Sequence, residues 1–149
     1  MDTILDRYER VLERITRSAQ SVGRKPETIR LVVVTKLQPV EAIEEAILAG
    51  VRYLGENYAD EALQKKTILE EKRRNYQQTK NDTTMGSSIP FLYSDVQWHI
   101  IGHVQSRKAR IVADSFDYLH SLDSLALSKR LDYFCSEKKR ILPPVKPLI

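Results

Sequence analysis

Four times along this chain a short apolar run gives way to a helical pattern, and that alternation constrains the fold more than any other feature. An opening segment has apolar residues at Ile4, Leu5, Tyr8, Val11, Leu12, Ile15 and Ala19. The spacing predicts an amphipathic helix, ended by Gly23, Lys25 and Pro26. A strand is expected over about 29–35, and Pro39 opens a helix that carries Val40, Ile43, Ala46, Ile47 and Leu48 and stops at Gly50. Val51-Arg52-Tyr53-Leu54 reads as a second strand, with a long polar helix from Tyr58 to Tyr76 behind it. Val96-Gln97-Trp98-His99-Ile100-Ile101 reads as a third strand, and a helix with Val104, Ala109, Ile111 and Val112 follows. Phe116-Asp117-Tyr118-Leu119-His120 is the fourth strand, with a helix over Ser124–Arg140 that Pro143 and Pro144 break. Val145-Lys146-Pro147-Leu148-Ile149 begins a fifth. Strands alternating with helices imply parallel pairing and right-handed crossovers. An open doubly wound sheet and part of a (β/α)8 barrel both satisfy that pattern. A whole barrel takes about 250 residues, and four units are half of one.

Between the second helix-bearing unit and the third, residues 77–95 are polar, rich in Asn, Thr, Gly and Ser, and without periodicity. They are expected to form a long surface loop. The single cysteine, Cys135, excludes an internal disulfide and a cysteine-based zinc site. No apolar stretch reaches the length of a membrane span. The N-terminus lacks the basic-then-apolar order of a signal peptide, so the expected location is cytoplasmic. The net charge of +4 lies in the last third, where residues 97–149 carry nine basic and five acidic side chains. That surplus is sparser than a nucleic-acid footprint, and a solvated surface accounts for it.

Chemistry in parallel α/β folds gathers at the C-terminal ends of strands. Three such ends here are polar or glycine-bearing. The first strand, with four consecutive aliphatics at 31–34 expected to be buried on both faces, runs out at Thr35-Lys36. An amine held there is partly desolvated, which favours its neutral, nucleophilic form. The same position also suits a lysine whose ammonium lies in water. The second end is Gly55-Glu56-Asn57-Tyr58. Asn57 is a candidate ligand contact, and equally a cap for the next helix with Glu61 in its first turn. The third is His99, then Gly102-His103-Val104-Gln105-Ser106-Arg107-Lys108. His99 reads either as a site residue or as a hydrogen-bonded core histidine. Gly55 and Gly102 are also explained by turn geometry alone. The spacing of His99 and His103 spans a strand end and a glycine turn, which suits a metal poorly. Arg107, Lys108 and Arg110 read as a solvated helix face before a phosphate site. No Walker motif, G-x-G-x-x-G or nucleophile elbow is present.

Taken together, Val33-Val34-Thr35-Lys36-Leu37-Gln38-Pro39-Val40-Glu41-Ala42-Ile43, Gly55-Glu56-Asn57-Tyr58-Ala59-Asp60-Glu61-Ala62 and Trp98-His99-Ile100-Ile101-Gly102-His103-Val104-Gln105-Ser106-Arg107-Lys108 resemble the pyridoxal phosphate homeostasis protein family. This is the YggS and PROSC type, related to the N-terminal barrel of alanine racemase. The order and approximate spacing also match, apart from a longer loop at 77–94. The resemblance covers nearly the whole chain. It implies the N-terminal half of a (β/α)8 (TIM-type) barrel, with residues 1–149 as one partial domain, and pyridoxal 5'-phosphate (PLP) as cofactor. Lys36 falls on the family lysine that forms the internal aldimine, Asn57 on the G-E-N motif at the cofactor edge, and His99 and Gly102 on the W-H-x-I-G motif.

The implied function is intracellular PLP homeostasis, within vitamin B6 metabolism, without catalytic turnover. The implied partners are PLP and PLP-dependent apoenzymes, with neither nucleic acid nor membrane. A racemase-like enzyme is the alternative and would need a second acid/base, for which Tyr58 and Tyr53 are poor candidates. A basic interaction module rests only on the charge after residue 97. The chain departs from the family in length. It ends near its fifth strand, so a fragment is expected that carries the aldehyde-binding half and lacks the later loops that grip the phosphate. As an isolated half-barrel it is expected to bind PLP weakly, or to be a non-binding remnant. Thr35 stands where the family more often has serine, which keeps the hydroxyl.

Overall fold

The structure is a computed structural model that describes residues 2–79, 95–137 and 146–147. Helix α1 spans Ile4–Ser21 and a single 3-10 turn spans Pro26–Thr28. The chain then runs through β1 (Val33–Val34), α2 (Val40–Leu48), β2 (Tyr53–Glu56) and α3 (Ala59–Thr79). After residue 94 come β3 (Gln97–Ile100), a 3-10 turn at Ser106–Lys108 leading into α4 (Ala109–Ser115), β4 (Tyr118–Leu119), α5 (Leu125–Glu137) and β5 (Lys146–Pro147). All five strands are parallel, and their order in the sheet is their order in the chain. A doubly wound sheet would reverse direction at a switch point. Sequential parallel pairing without reversal is the winding of a barrel wall.

Local sequence accounts for the element ends. The Thr3 hydroxyl accepts the Asp6 amide while the Asp6 carboxylate takes the Thr3 amide at 2.8 Å, a closed capping box that starts α1. Glu45 accepts the Ile4 amide at 3.3 Å and ties α1 to α2. Pro39 caps α2. Helix α3 continues to Thr79, three residues into the segment expected to be loop, while 80–94 lie outside the described residues.

The register sorts the side chains. Val33, Leu54, Trp98, Ile100 and Leu119 share the helix-facing side. All but Val33 are buried, against Ile43 and Ile47 of α2, Leu69 of α3, Val112 of α4 and Leu127 of α5. Each such side chain contributes about 1.5–3 kcal/mol by leaving water. The other side carries Val34, Tyr53, Gly55, Gln97, His99 and Tyr118.

The first strand is a correction. The run at 29–35 is not a long strand buried on both faces. Only Val33 and Val34 pair, the Thr35 amide adds one bond to the Gly55 carbonyl at 2.9 Å, and Val34 is 48% exposed. The physical reason is position. Val34 lies on the sheet face opposite the helix-packed residues, the face it shares with Gly55 and His99, and is left half-exposed there among the described residues.

Candidate functional site

Lys36 lies two residues past the end of β1, in a tight turn closed by the Gln38 amide donating to the Thr35 carbonyl at 3.1 Å. Its side chain is exposed. Of the two readings the sequence left open, this exposure fits the solvated ammonium and not the partly desolvated amine. Leu37, the next residue, has φ of 60°, a left-handed conformation rare outside glycine, asparagine and aspartate.

Beneath this turn lies a charged cluster that sequence reading missed. The alternation of the strands turns Thr35 and Glu56 toward the helices, and both are buried. The Thr35 hydroxyl donates to Glu56 Oε1 at 2.7 Å. Lys65, one of the buried residues of α3, donates to the same oxygen at 3.0 Å and to the Thr35 carbonyl at 2.8 Å. Lys65 also pairs with Glu61 Oε1 at 2.6 Å, and that oxygen accepts the Leu37 amide at 2.8 Å. The Lys65 hydrogen bond is the largest influence on the Glu61 carboxyl and holds it below its ordinary pKa; burial opposes it, and the Leu37 amide and the Lys65 charge add to the lowering. Glu56 Oε2 has no hydrogen-bond partner among the described residues. The one sequence signal was the i,i+4 spacing of Glu61 and Lys65, which in a polar helix reads as a solvated pair.

Asn57 follows β2 and is half-buried. It does not cap α3, which starts at Ala59 with Tyr58 preceding it and accepting the Ala62 amide at 3.0 Å. No hydrogen bond of the Asn57 side chain occurs among the described residues. Gly102 sits against the Asn57 main chain, where a Cβ at 102 would lie 2.5 Å from the Asn57 oxygen. The Ser121 hydroxyl donates to the Gly102 carbonyl and links this turn to the end of β4. Gly55 is packed similarly on the inner side, where a Cβ would meet Val32 Cγ1 at 2.9 Å and Ile101 Cδ1 at 3.2 Å.

His99 is buried on the same side. Its ring stacks on Tyr118 at 4.5 Å between centroids and meets the edge of Tyr53 at 5.8 Å. Nδ1 lies 2.8 Å from Nε2 of His120, one nitrogen donating and the other accepting, and Nε2 of His99 has no partner among the described residues. The core-histidine reading thus accounts for one ring nitrogen and not the other. Burial, then the His120 ring, push the His99 pKa down to about 4; Asp117 opposes this and Arg30 adds to it. The imidazole is therefore neutral at pH 7.

Three strand ends thus bring Lys36, Asn57 with Gly102, and His99 to neighbouring positions along adjacent strands, with His99 about one turn of pleat below the rim. His103 goes elsewhere. It is exposed and bonds Asp123 at 2.7 Å. Of the basic residues after Gly102, Lys108 pairs with Asp60 at 2.7 Å, Arg107 donates to Gln105, and Arg110 is 3.9 Å from Asp114. They form a surface charge lattice. Among the described residues no helix is long and apolar enough to cross a membrane.

No family model matches the chain. Whole protein sequences do. The chain is 36% identical over 149 residues to the pyridoxal phosphate homeostasis protein of Escherichia coli, covering 100% of itself and 54% of that protein. It is 35% identical over 145 residues to that of Pseudomonas aeruginosa, covering 97% of itself and 52% of the relative. In structure it is similar to PipY of Synechococcus elongatus with PLP bound, at a TM-score of 0.58 and 32% identity over 87% of this chain and 50% of that one. A Bifidobacterium adolescentis protein of unknown role superposes with a TM-score of 0.69 at 28% identity, over 93% of this chain and 52% of that one. The fold is accordingly the N-terminal half of a (β/α)8 barrel. The chain spans about half the length of the curated relatives it matches, and over that span it is similar to the pyridoxal phosphate homeostasis proteins.

Proposed function

We propose that this chain is a PLP-binding protein of the homeostasis type, with Lys36 as the point of covalent attachment and Asn57, Gly102 and His99 lining the approach. The observation that carries the reading is the grouping, along three adjacent strands, of an exposed primary amine with an Asn side chain and a buried imidazole nitrogen that have no partner among the described residues. That donor set suits the aldehyde end of the cofactor. When bound, PLP supplies an electrophilic aldehyde carbon that an unprotonated amine attacks reversibly, with loss of water.

The chain's own residues have separable parts in this reading. Lys36 supplies the amine from an open turn, so water reaches it and release is as available as capture. That suits a carrier. Asn57 offers both a donor and an acceptor at the rim. His99, neutral at pH 7, offers one ring nitrogen without adding charge, and its face is already occupied by Tyr118. Gly102 keeps the third strand end close to Asn57 by having no side chain. A holding role without turnover is supported by the homeostasis names of the relatives.

An absorbance titration of the 149-residue chain with PLP tests the reading. Because the half-barrel is expected to grip PLP weakly, a visible-range band in excess of that of free PLP is expected only at high PLP concentration, and it is expected to be lost in Lys36→Ala. A band of equal size in Lys36→Ala would overturn it.

A further inference from the structure

We propose that Glu61 and Lys65, with Glu56 behind them, are positioning residues for Lys36. The inference rests on the PLP reading above and extends it to side chains on a different element. The turn at 35–38 is unusual in one respect. Its third residue is Leu37 at φ of 60°, where glycine is the ordinary occupant. Leu37 gains nothing there by packing, since it is 76% exposed. Something else has to hold the conformation.

The cluster beneath supplies the hold at two points. The Thr35 carbonyl that closes the turn by accepting the Gln38 amide also accepts Lys65 Nζ at 2.8 Å. On the far side of Lys36, the Leu37 amide donates to Glu61 Oε1 at 2.8 Å. Residues 35 and 37 are thus gripped from one face of α3, four residues apart in that helix. The grips are themselves fixed. Lys65 lies between two carboxylates, at 2.6 Å from Glu61 and 3.0 Å from Glu56, and the Thr35 hydroxyl bonds the same Glu56 oxygen. None of these groups bonds the Lys36 side chain. They anchor its backbone and leave its amine open, which is what a selective but exposed attachment point requires. The three ammonium protons of Lys65 meet Glu56, Glu61 and the Thr35 carbonyl, so the contacts that satisfy the buried charge also fix the main chain beside this lysine.

The test uses the whole 149-residue chain with Glu61→Ala and Glu61→Gln. Glu61 is 27% exposed and at the edge of the cluster, so both variants keep the core. A single oxygen, Oε1, takes both the Leu37 amide and Lys65, and glutamine retains such an oxygen. Amide hydrogen exchange at Leu37 and Gln38 reads the turn directly. Incubation with PLP, borohydride fixation and peptide mapping read the ratio of label on Lys36 to label on the exposed Lys25.

Glu61→Ala is expected to speed exchange at both amides by about tenfold and to lower the Lys36 to Lys25 ratio by at least about threefold. Glu61→Gln is expected to restore most of both. Exchange as slow in Glu61→Ala as in the parent would overturn the proposal, as would an unchanged ratio in a parent that prefers Lys36. A parent without preference for Lys36 would instead overturn the PLP reading, and the exchange arm then decides alone whether the turn is clamped.

Discussion

Gly102 packs on the main chain of Asn57 so closely that a methyl group at 102 would stand 2.5 Å from the Asn57 carbonyl oxygen and 2.8 Å from its Cα. The contact joins the rims of β2 and β3, and both obstacles are backbone. Gly102→Ala is therefore expected to cost about 1–3 kcal/mol of unfolding free energy, read as a lower urea midpoint. Gly55→Ala meets side-chain methyl groups of Val32 and Ile101 instead and is expected to cost less. Equal costs would show that the rim contact yields as easily as a side chain does.

Stability should fall as the solution is acidified, through His99. Its pKa in the fold is about 4, against 6.5 for an ordinary histidine, because burial and then His120 disfavour its charge. The unfolded chain takes up a proton below pH 6.5 while the folded one resists until pH 4. The stabilisation is thus complete above 6.5 and is lost as pH falls toward 4, by up to about 3 kcal/mol. His99→Gln should flatten the urea midpoint between those two pH values. An unchanged slope would assign the effect elsewhere.

Lys65→Met strands Glu56, which is fully buried and already has one oxygen without a partner among the described residues. Breaking a buried pair from one side costs about 3–5 kcal/mol. Pairing Lys65→Met with Glu56→Gln removes the stranded charge and should recover a large part of that loss in denaturant titrations. Two additive losses would mean the residues do not depend on each other.

The strand ends were legible because each combines a periodic apolar run with an abrupt polar or glycine break, and the three motifs lie in the spacing of one family. The element order was legible too, and the sheet's sequential winding selects the barrel half of the two architectures that the alternation allowed. The exposure of Lys36 was not decided by the sequence, which also allowed a partly desolvated amine. Four aliphatics before it look like a strand covered on both sides, and only the assembled sheet, which leaves Val34 and Lys36 exposed, decides otherwise. Nor was the cluster of Glu56, Lys65 and Thr35, since a lysine in a polar helix carries no mark of burial until β1, β2 and α3 are assembled. The pairing of His99 with His120 depends in the same way on the register of β3 with β4.

The central claim is that Lys36, among the lysines of this chain, is the one that takes the PLP aldehyde. Its most direct measurement is borohydride fixation of PLP at limiting concentration, with the label mapped by peptide mass spectrometry on the parent and on Lys36→Ala. Label concentrated on the peptide bearing Lys36 in the parent, and total incorporation falling severalfold in the variant with unchanged urea stability, is the predicted result. Label spread over the exposed lysines in proportion to their accessibility, and undiminished in Lys36→Ala, would contradict it.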